Sequence, residues 1–83
     1  MIATDKERDA VAAMHAVLVT LRTMAHEKAD HELMAKALDM AEYLPCLMLE
    51  DEDNTEIFHG TLQGLATLHP SFNWAVERFE NAN

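Results

Sequence analysis

One cysteine, two glycines, two prolines, one tryptophan and only 6 Lys and Arg residues are found in this 83-residue chain. Each scarcity closes off a class of protein. A lone Cys46 permits no internal disulfide and no cysteine-based zinc site, so the staples of small secreted scaffolds are missing and a reducing, cytoplasmic setting is expected. Basic residues that are few and singly placed leave no footprint for phosphate backbones or anionic lipid, which argues against direct nucleic-acid or membrane binding. The longest apolar run, Ala10 to Leu21, is interrupted by His15 and Thr20 and falls short of the ~20 residues that span a bilayer. The opening segment is rich in acids, unlike a basic signal or transit leader.

What is present is acid and apolar surface: 15 Asp and Glu for a formal charge of -9, with 49% hydrophobic residues. That hydrophobic share is too high for intrinsic disorder, and the length corresponds to a single domain over residues 1–83. A core this small leaves a monomer marginal, which favours self-association as a homodimer.

No stretch alternates with period two for long enough to suggest a sheet, and strong helix formers fill the space between the few breaks. The fold expected is all-α: a small compact bundle with three main helices and a short C-terminal fourth. Thr4 to Glu7 has the spacing of a capping box and opens the first helix. Val11, Met14, Leu18, Leu21 and Ala25 are read as its inner seam, flanked by Ala10, Val17 and Met24, with Asp9, His15, Arg22 and His26 on the solvated side. Apolar positions then resume out of phase, so the helix breaks near Ala29 and Asp30 caps a second helix running to about Tyr43. Its apolar positions are Leu33, Ala37, Met40 and Leu44, with Met34, Leu38 and Ala41.

Leu44-Pro45 is expected to stop that helix, with one further turn burying Cys46, Leu47, Met48 and Leu49. After the acidic run, Asp53 to Glu56 repeats the capping-box spacing and begins a third helix ending near Leu68, with Ile57, Phe58, Leu62, Leu65 and Leu68 inward. His69-Pro70-Ser71 interrupts the chain, and a short last helix buries Phe72, Ala75, Val76 and Phe79 with Trp74 at a boundary. Asn81 to Asn83 form a tail.

Few motifs point to chemistry. Glu50, Asp51, Glu52 and Asp53, joined by Glu56, lack the alternating ligands and central glycine of an EF-hand and read as a solvated loop or a dock for a basic protein partner. Glu56 and His59 match the Glu-x-x-His spacing of di-metal bundles, but only one such motif is present where two are needed. His26, Glu27, Asp30 and His31 cluster at the first break, where capping and ion pairing outweigh a surface zinc site. Cys46 among leucines reads as an inert buried thiol, and no phosphate-binding loop or nucleophile elbow occurs.

Gly60 and Gly64 lie one turn apart in the third helix, where each costs about 1 kcal/mol relative to alanine, so close approach of another helix is expected there. Six methionines give the apolar faces a deformable lining. Together these features predict a non-enzymatic interaction or homo-oligomerisation module without cofactors. Its partner-binding residues are taken as Glu50, Asp51, Glu52, Asp53, Glu56, Gly60 and Gly64. The alternatives are an acidic mimic that occupies a nucleic-acid-binding protein, and a helical binder of metal or a small apolar ligand.

Overall fold

The computed structural model describes residues 5–49 and 54–80 and is all-helical over them. In chain order, α1 spans Asp5–His26, α2 His31–Leu49 and α3 Thr55–Leu68, and a 3₁₀ turn at Pro70–Phe72 leads into α4, Asn73–Glu80. The expected N-cap Thr4, the acids Glu50 to Asp53 and the tail Asn81 to Asn83 lie outside the described residues.

α1 packs against α2 and α4, and α3 packs against the same two helices. Among the described residues the diagonal pairs, α1 with α3 and α2 with α4, do not approach each other. Short connections between neighbours produce this up-and-down ring, because a helix followed by only a few linking residues can pack on its successor only by running back along it.

The break after α1 occurs where the sequence places it, by a mechanism that involves neither glycine nor proline. Lys28 takes a left-handed conformation, φ 59°. The amide of Ala29 then donates to the Met24 carbonyl at 2.9 Å and that of Lys28 to the Ala25 carbonyl at 3.1 Å. This pair of bonds is the Schellman ending of a helix, here with lysine at the position glycine usually takes. The Asp30 carboxylate restarts the chain: Oδ1 accepts from the amides of Glu32 at 2.8 Å and Leu33 at 3.2 Å. Two donors that α2 would otherwise leave unsatisfied are thereby capped.

The inner face of α1 is rotated from the expected one. Ala10, Ala13, Val17, Thr20 and Met24 are buried, with Ala16 and Leu21 beside them, whereas Val11, Leu18 and Ala25 are exposed and Met14 is half-buried. Three of these seven buried side chains are alanines, small enough to let neighbouring helix backbones approach. The single buried polar side chain among the described residues, Thr20, is fully used. Its hydroxyl donates to the Ala16 carbonyl at 2.9 Å and accepts from Trp74 Nε1 at 2.5 Å, tying α1 to α4.

α2 also departs from expectation, because it continues through Pro45 to Leu49. An internal proline costs about 3 kcal/mol or more. Leu44 and Leu47 on either side are buried, and each contributes roughly 1.5 to 3 kcal/mol, so continuing the helix is the better solution. Cys46 and Leu49 are consequently exposed and not part of the core, and Met48 is half-buried.

α3 begins one residue later than the capping-box spacing suggests, with Asn54 at the N-cap making no side-chain cap bond; its Nδ2 donates instead to the Leu47 carbonyl at 3.4 Å. Phe58, Leu62 and Leu65 are buried as expected, Leu68 is half-buried, and Ile57 points outward. At the next interruption the His69 ring acts as the cap, Nδ1 accepting from the Ser71 amide at 3.2 Å, with Pro70 first in the turn. Phe72, Ala75, Val76 and Phe79 then complete the core.

Candidate functional site

Two aliphatic lines run along α1. The inner one builds the core. The second contains Val11, 52% exposed, and Leu18, 61% exposed. Seven residues make almost two full turns, so these side chains lie on one line, with Met14 and Ala25 close to it. On α2, Leu38 is 51% exposed and Leu49 84% exposed, and the exposed ring of Pro45 lies on the same side between them.

The side of the bundle these residues occupy follows from their neighbours. Thr20, near one edge of the buried arc of α1, points at α4, so α2 lies at the other edge, marked by Leu21, and Leu18 is about 60° beyond Leu21 on that side. Met40 reaches Gly64 of α3, and Leu38, two residues earlier, is likewise turned away towards α1. Leu18 precedes the end of α1 at His26 by eight residues, and Leu38 follows the start of α2 at His31 by seven. In a helical hairpin this places both leucines at about the same height. Val11, Leu18, Leu38 and Leu49 thus share the outer surface of the α1–α2 hairpin.

The residues that sequence reasoning assigned to partner binding are scattered in comparison. Glu50, Asp51, Glu52 and Asp53 lie outside the described residues. Glu56 is exposed in the first turn of α3, where its charge favours the positive end of the helix. Gly60 and Gly64 do not act as a pair within the chain. A Cβ at Gly60 would meet nothing within 4 Å, whereas one at Gly64 would lie 2.6 Å from the Met40 Sδ-methyl carbon. Only Gly64 has the close approach expected, and what it meets is the tip of a side chain, not a helix backbone.

Three of the groups with chemical potential, His59, Asp30 and Cys46, have structural partners. His59 Nε2 pairs with Glu80 Oε1 at 3.0 Å across α3 and α4, and its ring lies 6.0 Å from that of Phe79. Of the Glu-x-x-His pair, His59 is thus engaged with Glu80 in a bridge between helices, and Glu56 takes no part in it. Asp30 caps α2, which also ends the continuous helix that His26 and Asp30 would need to share a face. Cys46 Sγ contacts the Glu42 carbonyl of its own helix at 3.7 Å. Among the described residues no three His, Cys, Asp or Glu side chains are grouped to hold a metal ion. A shallow open depression between α3 and α4 is lined by Gln63, Ala66, Thr67, Asn73 and Val76, none of them titratable.

The methionines Met14, Met34, Met40 and Met48 are half-buried against the core and Met24 is within it, so they serve as soft packing between helices. No helix is long and apolar enough to cross a membrane among the described residues.

The exposed aliphatic face was the feature that sequence reasoning missed. Its signal was present as the seven-residue step from Val11 to Leu18, beside a second, alanine-rich seam able to fill the inside. Compared with protein-family models, with curated proteins and with solved structures, the chain matches none.

Proposed function

We propose that the protein is a non-enzymatic helical interaction module whose docking face is the outer surface of the α1–α2 hairpin. The observation that carries this reading is the exposure of Leu18 and Leu38, 61% and 51%, at the same height on adjacent helices. Singly exposed leucines are ordinary on protein surfaces, whereas a contiguous aliphatic patch marks a contact surface. Helix propensity does not require them, since lysine or glutamate would serve there nearly as well. Burying each against a partner adds about 1 kcal/mol or more of the roughly 1.5 to 3 kcal/mol such a side chain offers.

Site-specific photocrosslinking in the native cell tests the reading. A benzophenone side chain replacing Leu18 is expected to give crosslinked adducts, while the same group replacing exposed Glu77 on α4 gives none. Adducts from position 77 alone, or from neither, would refute the assignment of the face.

A further inference from the structure

We propose that the occupant of this face is a second copy of the chain, with the two α1 helices antiparallel and Val11 of each protomer against Leu18 of the other. This inference rests on the reading of the α1–α2 surface as a docking face. Two features of charge single out this partner and this orientation.

The first is where the charge is absent. The chain carries a formal -9, so two copies repel one another over most approaches. α1 is the exception: Asp5, Glu7 and Asp9 are balanced by Lys6, Arg8 and Arg22, giving the helix no net formal charge with neutral histidines. α2, the other half of the face, carries Glu32, Asp39 and Glu42 against Lys36, so the aliphatic line of α1 is the part of the face that a second acidic chain approaches with least repulsion. A basic partner would find no excess of acid on α1 to recognise.

The second is the order of residues along the exposed line. Glu7, Val11, Leu18 and Arg22 follow one another at steps of four, seven and four, and all four are exposed. Positions 7 and 22, and positions 11 and 18, are symmetric about the midpoint between Met14 and His15. A two-fold axis through that midpoint, perpendicular to the helix, brings Val11 onto Leu18 and Glu7 onto Arg22 of the second copy. Symmetry repeats both contacts, as in any isologous interface. Parallel helices in register would instead place Glu7 beside Glu7 and Arg22 beside Arg22, which like-charge repulsion disfavours. The Glu7 carboxylate has about four lone-pair sites, so the intermolecular bond is compatible with any bond it makes within its own chain.

Light scattering coupled to size exclusion, with a thermal melt of each variant to confirm folding, tests the proposal. The expected mass is twice the 9.4 kDa of the chain at high concentration, and that of the monomer for Leu18→Asp. Glu7→Arg and Arg22→Glu should each weaken self-association about three- to thirty-fold, the range expected when two exposed ion pairs turn repulsive. The double variant should recover most of the loss. A double variant no tighter than the folded single ones would overturn the antiparallel register. A wild-type chain that stays monomeric throughout would overturn the second copy as occupant. In that case crosslinked adducts from position 18 to another protein would leave the docking face standing, whereas no adducts would remove both.

Discussion

The two hairpins of the bundle divide the work differently. α3 and α4 are short, 14 and 8 residues, and hold together through large groups: Phe58 and Phe79 rings 5.0 Å apart at 37°, fully buried Phe72, and the His59–Glu80 pair. α1 and α2 are longer, 22 and 19 residues, and α1 buries three alanines with Val17, Thr20, Leu21 and Met24 while leaving Val11 and Leu18 outside. The aromatic side chains of the core are therefore concentrated in the short hairpin, and most of the exposed large apolar side chains in the long one. The size of an apolar side chain does not tell which side of a helix is inside; the closeness of the neighbouring helix does.

The sharpest break between the hairpins comes from truncating one large side chain in each. Phe72→Ala should destabilise the fold by about 3 to 5 kcal/mol, because it empties a site with no exposure. Leu18→Ala should change monomer stability by no more than about 0.5 kcal/mol, as for surface positions generally. Denaturant unfolding at low protein concentration measures both, and equal losses would contradict the division. A smaller effect is expected at the joint of the long hairpin. Asp30→Ala removes the acceptor for two amides and should cost about 1 kcal/mol, seen as a lower urea midpoint at unchanged slope. Of opposite sign is Gly60→Ala. The open space around that glycine leaves only the gain in helix propensity, a stabilisation of about 0.5 to 1 kcal/mol. Gly64→Ala must displace the Met40 methyl to obtain the same gain, so its benefit in the same melt should be smaller.

Where a local signal had no rival, the sequence was a good guide. Asp30 as a cap, the His69-Pro70 interruption and the burial of Phe72, Ala75, Val76 and Phe79 follow from residue chemistry and periodicity, and the structure agrees. Where two solutions competed, packing decided. α1 has apolar residues around more than half its circumference, so periodicity admitted two inner seams, and the bulkier one was the wrong choice. Pro45 looked like a helix stop because the rule before proline is local, whereas burial of Leu44 and Leu47 is set by the whole bundle. Lys28 in a left-handed conformation has no signature in sequence at all. Of the candidate site, Gly64 was legible as a place of close approach, while the outer face of α1–α2 required knowing which way α1 is turned.

Hydroxyl-radical oxidation followed across a range of protein concentration tests most directly whether the long hairpin meets a second copy. Leu18 and Leu38 should be oxidised readily in dilute solution and become protected as concentration rises, while Ile57 on α3, 50% exposed, reacts at a constant rate. Oxidation of Leu18 and Leu38 that does not change with concentration, or protection confined to Ile57, would contradict it.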